Sequence, residues 1–189
     1  MAVFDLDKTL RWLKPEKRQG ALARRAEDLL PWVSDDVVAG GELLLDTCVY
    51  IDELQGRAPD TVTTLLRVRT LNHSSVALAE MMHLFGRLDP ADARTEATLT
   101  EIAGILRRIP SHRLHEADAD TMAGAGVLAG ILCRLNGYQN DRKQKALHDC
   151  IIFLQARKRG FSVLTRNVAD FDLLLQMVPD GRVLFYRKV

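Results

Sequence analysis

Gly41-Glu42-Leu43-Leu44-Leu45-Asp46-Thr47-Cys48-Val49-Tyr50-Ile51-Asp52 is the stretch on which the architecture turns. Three leucines in succession, entered from two glycines, read as a short strand buried on both faces, because a strand with one wet face alternates apolar with polar residues. Asp46 closes that strand. Cys48 to Leu54 then resume with helical spacing until Gly56 and Pro59 stop them. A carboxylate at the carboxyl end of a central parallel strand stands where open α/β sheets bind their ligands, which makes Asp46 the first candidate site residue.

Working outward, the totals bound the answer. A chain of 189 residues with 47% hydrophobic and 27% charged content fits one globular domain, or a domain with an appended segment. No apolar run approaches the roughly 18 residues of a spanning helix, and Asp5, Asp7, Lys8 and Arg11 interrupt the amino terminus, so the expectation is a cytoplasmic protein with no membrane association. Cys48, Cys133 and Cys150 show neither CxxC nor Cys/His zinc spacing and read as buried, inert thiols. The net charge of +1 leaves nucleic-acid binding open, since that needs a basic patch and not a basic total.

Residues 1–9 have two readings. Asp5-x-Asp7-x-Thr9 after apolar residues resembles the nucleophile loop of haloacid-dehalogenase-type phosphatases, which would make Asp5 the attacking group and Asp7 the general acid-base. The other is a capping or surface segment ahead of a helix opened by Pro15 and Glu16 and running to Pro31. Beyond the central strand, Thr61 to Thr70 suit a helix and Leu71 to Ser75 a turn. Ser74 or Ser75 then caps a helix with the apolar stripe Val76, Ala79, Met82, Leu84 and Phe85. Glu80 shares a face with Val76 and Leu84, so it points near the core and needs either a metal or an arginine beside it.

Asp89-Pro90 predicts a helix start, residues 111–115 a short strand, and Asp118 the cap of a helix over residues 119–135. Tyr138 to Lys145 read as a polar loop before the helix Ala146 to Ala156. Asp149 in its first turn has an ordinary explanation, attraction to the helix dipole. The five histidines form no pair at metal spacing. Phe161 to Thr165 is a second buried strand, Arg166 to Phe171 the loop at its carboxyl end, and Arg182 to Tyr186 a final strand after the turn at Pro179-Asp180-Gly181.

Taken together these acids resemble a known set. Leu43-Leu44-Leu45-Asp46-Thr47 is similar to the opening of a PIN domain, and His73-Ser74-Ser75 leading into Glu80 is similar to that family's second segment. Asp149 on its helix, followed by Thr165-Arg166-Asn167-Val168-Ala169-Asp170-Phe171, resembles the third and fourth. Among PIN proteins the chain looks most like the VapC-like toxin ribonucleases. The resemblance covers roughly residues 42–186 and implies a three-layer α/β/α sandwich with a central, mostly parallel sheet. It divides the chain into an N-terminal helical extension over residues 1–40 and a PIN-like nuclease domain over residues 41–189.

The implied activity is Mg²⁺- or Mn²⁺-dependent hydrolysis of RNA phosphodiester bonds. Asp46, Glu80 and Asp149 are the implied metal ligands, with Thr47 and Thr165 orienting ligands or water, and Asn167 or Asp170 filling the fourth acidic position. Carboxylate oxygens suit these hard ions and disfavour zinc. Arg142, Lys143, Lys145 and Arg166 are candidates for holding the substrate backbone. The resemblance also implies transfer or ribosomal RNA as substrate, a homodimer, and an antitoxin protein as partner. The alternatives are the phosphatase using Asp5 and Asp7, and a PIN fold that binds RNA or a partner without cutting because Asn167 brings no charge.

Overall fold

The computed structural model describes residues 4–34 and 40–189, with the side chains of Asn140 and Asp141 left aside. The acidic pair Asp35-Asp36 and the apolar anchors Val37 and Val38 lie outside the described residues, as do Ala2 and Val3 of the phosphatase-like motif. Five strands, β1 (Leu43–Leu45), β2 (Leu71–Ser74), β3 (Leu114–His115), β4 (Ser162–Thr165) and β5 (Val183–Phe185), form one sheet in the order β3-β2-β1-β4-β5. Every pairing is parallel, with Leu43 opposite both Leu71 and Ser162. Leu43 and Leu44 are wholly buried, as a central strand covered on both faces requires. The fold is the expected PIN-like three-layer α/β/α sandwich, its sheet entirely parallel.

Helices α2 (Thr47–Leu54), α3 (Asp60–Val68), α4 (Ser75–Arg87), α5 (Thr95–Arg107), α6 (Ala119–Asn136), α7 (Asn140–Arg159) and α8 (Val168–Met177) follow a short α1 (Leu6–Leu13). The chain runs from β1 outward through β2 to β3, then returns to the other side of β1 for β4. That reversal between β1 and β4 opens a crevice at their carboxyl ends. Gly181 permits the last turn, since a Cβ there would overlap the ring of Phe153. Among the described residues no helix is long and apolar enough to cross a membrane.

Several local expectations are corrected. Residues 71–74 are a strand and not a turn. Asn72, His73 and Ser74 are buried there because Asn72 donates to Leu43 O at 3.2 Å and to Glu42 Oε2 at 2.9 Å, while the Tyr50 hydroxyl reaches His73 Nδ1 at 2.6 Å. Helix α5 starts at Thr95, five residues after Pro90. Asp89 and Asp92 spend their carboxylates on the turn N–H groups of Ala91 and Arg94. Helix α7 starts at Asn140, so residues 140–145 are helical rather than loop. That places Asp149 well past the first turn and removes the dipole explanation for it. Residues 111–113 are one 3₁₀ turn, leaving only two residues for β3.

The helix expected from Pro15 to Pro31 does not form. The helix lies earlier, at α1, and residues 15–34 contain two 3₁₀ turns joined by irregular chain. This stretch is nevertheless tied down. Arg18 donates to Met177 O at 2.9 Å, Asn136 Nδ2 to Leu22 O at 3.1 Å, and Gln176 Nε2 to Ala23 O at 3.0 Å. Its end joins the sheet edge, where Val33 N donates to Phe185 O and Phe185 N to Pro31 O.

Candidate active site

Asp46 follows β1 as the first residue before α2, and it is buried. Its Oδ2 accepts from Thr165 Oγ1 at 2.6 Å and from the Cys48 thiol at 3.0 Å. Thr165 ends β4, the neighbour of β1, so the bond spans the crevice that the sheet order creates. Thr165 Oγ1 also accepts from Asn167 N at 2.9 Å, which fixes the start of α8 against Asp46. Burial, with the charge of Glu80 adding to it, raises the pKa of Asp46 above the ordinary carboxylate range despite these hydrogen bonds.

Glu80 extends from α4 and is half-buried. Of the two options raised by its sequence position, the arginine is not found among the described residues: His148 Nδ1 stands at 2.7 Å from one oxygen and the Thr47 hydroxyl donates to the other. Burial opposes its ionisation, yet these hydrogen bonds outweigh burial and its pKa lies below the usual value.

Asp149 is buried on α7 and accepts from Asn167 Nδ2 at 3.0 Å. The same amide nitrogen donates to Asp170 Oδ2 at 3.0 Å, and Tyr138 OH donates to the other Asp170 oxygen at 2.5 Å. Asn167 is thus a donor between two carboxylates, and its Oδ1 caps α8. Desolvation pushes the pKa of Asp149 well up, and the charges of Asp46 and Asp170 push it further, with Lys145 pulling the other way.

Asp46, Thr47, Glu80, Asp149 and Asn167 line one cleft of about 510 Å³. Thr165 and Asp170 stand behind that lining, holding Asp46 and sharing the Asn167 amide. Of the four cations expected at the substrate path, Lys145 and Arg166 line the cleft; Arg142 stacks on Tyr138 instead, and Lys143 is not among the lining residues. Arg166 pairs with buried Asp52 at 2.6 Å. Asp5 and Asp7 lie elsewhere, beside a different cavity, and Asp5 accepts from Lys8 N as the cap of α1.

The sequence reading missed four contributors. Cys48 is not an inert core thiol but a cleft residue that donates to Asp46, and burial keeps it protonated. His148 and Tyr138 support Glu80 and Asp170 across 68 and 32 positions of sequence, separations at which no motif signals a contact. Arg24, from the amino-terminal segment, also lines the cleft.

Carboxylate oxygens are the donor chemistry of Mg²⁺ and Mn²⁺, and two buried acids with raised pKa values, Asp149 pushed up further by the charge of Asp46 and Asp46 by that of Glu80, are a charge arrangement a cation would relieve. Among the described residues no three His, Cys, Asp or Glu side chains close on one point as a finished metal site. The fit is therefore one of donor type and unbalanced charge.

No family model matches the sequence, and no curated protein matches it. Solved structures do. The crystal structure of FitAcB from Neisseria gonorrhoeae superposes with a TM-score of 0.50 at 20% identity, covering 76% of this chain and 96% of that one. FitAB bound to the IR36 DNA fragment gives 0.50 at 18% identity, covering 76% and 93%. VapBC-5 from Mycobacterium tuberculosis, of the VapBC family of toxin-antitoxin systems, gives 0.48 at 21%, covering 78% and 100%. At these identities the first two likenesses speak for the fold.

Proposed function

We propose that this protein is a metal-dependent endoribonuclease and the toxin of a toxin–antitoxin pair. The observation that carries the reading is the pair Asp46 and Asp149, buried at the crevice between β1 and β4 with raised pKa values and, among the described residues, no arginine paired with them. Asp46, Glu80 and Asp149 would hold Mg²⁺ or Mn²⁺. Such an ion supplies Lewis-acid stabilisation of phosphate charge and lowers the pKa of a bound water.

The protein's own part is positioning. Thr165 and Cys48 fix one oxygen of Asp46; Thr47 and His148 fix both oxygens of Glu80; Asn167 fixes Asp149. With the carboxylates preset, little reorganisation remains when a phosphodiester arrives. Lys145, exposed at the cleft, offers a cation to the substrate backbone. Transfer or ribosomal RNA as target, a homodimer and an antitoxin belong to this proposal through the family resemblance. The likeness in fold to FitAcB supports the resemblance on which these rest.

The test is direct. Purified protein should cut RNA with Mn²⁺, and Asp46→Asn should stop it while the fold survives. Cleavage that persists both in EDTA and in that variant overturns the proposal. One observation favours a second reading, a PIN fold that binds RNA without cutting it: position 167 is an amide, so the fourth acidic place carries no charge. Calorimetry separates the two, since a cleft that takes up no Mn²⁺ at millimolar concentration belongs to the binding module.

A further inference from the structure

The amino-terminal segment is not part of the PIN-like resemblance, yet it reaches the acid cleft. Arg24 is a lining residue there, with its side chain about half exposed. Two sets of contacts hold it in place. On one side, the next residue is clamped to α8: Arg25 N donates to Asp172 Oδ2 at 2.8 Å and Arg25 Nε to Asp172 Oδ1 at 2.6 Å, on a carboxylate with no exposure. Gln176 Nε2 donates both to that carboxylate and to Ala23 O, each at 3.0 Å. On the other side, Glu27 pairs with Arg24 and with Arg187. Its backbone carbonyl accepts from Trp32 Nε1 at 2.8 Å, and the Trp32 ring packs edge-on against buried Phe185.

The anchor helix is also the site helix. Asn167 and Asp170 stand at the beginning of α8, Asp172 and Gln176 further along it. Residues 23–25 are therefore fixed to the element that carries part of the acid cleft, and the guanidinium between them faces solvent at its mouth. The cleft's other arginine, Arg166, is committed to Asp52. Among the described residues, Arg24 is held only by exposed Glu27, a pairing between solvated groups that a phosphate can displace at little cost.

We infer that Arg24 is a substrate-binding residue which contacts the phosphate backbone of the RNA entering the cleft, so that the amino-terminal segment completes the substrate path from outside the PIN-like domain. The inference rests on the nuclease reading for the identity of the substrate, but it concerns binding. A guanidinium is suited to the role, since it presents paired donors to phosphate oxygens and never loses its charge. Contacts of this kind raise affinity without regard to sequence and make it salt-dependent.

The experiment measures fluorescence anisotropy of a 5′-fluorescein-labelled decauridylate with the cleavage-impaired Asp46→Asn protein, with and without Arg24→Gln. Arg24→Lys tests charge, and Arg107→Gln, a lost charge on an exposed residue outside the cleft lining, is the control. The expected result is a loss of about five- to tenfold in affinity at low salt for Arg24→Gln. Its log–log salt slope should be shallower by about 0.7, the value of one single-strand phosphate contact. Arg24→Lys should keep most of the binding and Arg107→Gln nearly all of it. Unchanged affinity or slope in Arg24→Gln overturns the inference, as does absence of decauridylate binding in every form. Tighter binding in Arg24→Gln overturns it too, and would make the segment a cover over the cleft. If Arg24-dependent binding is found while the wild-type protein never cuts RNA, the nuclease reading fails and this inference stands.

Discussion

Five aspartates are buried among the described residues, and four of them, Asp46, Asp52, Asp149 and Asp172, are treated in two ways. Asp52 meets Arg166 at 2.6 Å and Tyr186 at 2.8 Å; Asp172 meets Arg25 and Gln176. Each has a guanidinium of its own. Among the described residues, Asp46 and Asp149, by contrast, receive only neutral donors: a threonine and a thiol for one, an amide for the other. Burying a carboxylate is costly, and the ordinary remedy is an opposite charge with good hydrogen bonds. The first pair has that remedy and serves the fold. The second pair lacks it, sits side by side at the sheet's crevice, and carries raised pKa values in consequence. On the function proposed above, the charge left unbalanced there is what a cation from solution would balance.

The contrast is sharpest in opposite responses to one substitution. Asp46→Asn should lower RNA cleavage by at least about 10²-fold, some 2.7 kcal/mol at the transition state. It should leave stability without metal unchanged or higher by about 1 kcal/mol, because a repelling charge is gone. Asp172→Ala should do the reverse in stability, costing about 3 kcal/mol by stranding Arg25. For a chain of this size that is a melting-temperature drop of roughly 6–12 °C. Thermal melts of the two variants in EDTA check both. Equal destabilisation would erase the distinction between the two kinds of buried acid.

How far this division was legible in the sequence depends on the residue. β1 and β4 stand out because unbroken apolar runs mark strands covered on both faces, and Asp46 and Thr165 were found because they end those strands. β2 was missed for the complementary reason. Its Asn72 and His73 are buried by pairing with Glu42, Tyr50 and the backbone of β1, contacts that hydrophobic periodicity does not register. The beginning of α7 was missed because Arg142 to Lys145 are exposed and show no apolar stripe, although lysine, arginine and glutamine are good helix formers. Asn167 could be placed at the site but not given its role, since which way an amide turns depends on Asp149 and Asp170 coming together. Arg24 was beyond reach altogether. Its position follows from Arg25 meeting Asp172, a contact across 147 positions.

If the unbalanced acids take a cation, metal should stabilise the protein through them and not through the others. Mn²⁺ at about 100 times its Kd should add about 2.7 kcal/mol. Differential scanning fluorimetry with and without Mn²⁺ should show that gain in the wild type, and Asp46→Asn should lose most of it. A variant at the paired acids, such as the milder Asp172→Asn, should keep the full gain from its lower starting point. A metal-induced shift that survives Asp46→Asn intact would place the ion elsewhere.

A buried histidine extends the comparison to the opposite sign. Among the described residues no carboxylate is paired with His73. Burial, aided by the charge of His115, lowers its pKa to about 4, and its Nδ1 shares a hydrogen bond with the Tyr50 hydroxyl at 2.6 Å. The unfolded chain takes up a proton at this position near pH 6.5, whereas the fold resists until about pH 4. Over that interval the unfolded state binds more protons, so stability falls as pH drops through it and levels off below. The share due to His73 should be roughly 1–2 kcal/mol. Urea unfolding at pH 7 and pH 4.5 would measure it as the difference in pH dependence between the wild type and His73→Gln. The substitution lowers stability at pH 7 by losing the Tyr50 contact, but its curve should be flatter across the interval. If the two proteins lose stability in parallel, His73 takes up its proton as readily in the fold as in the unfolded chain, and burial alone is not enough here to keep a group neutral.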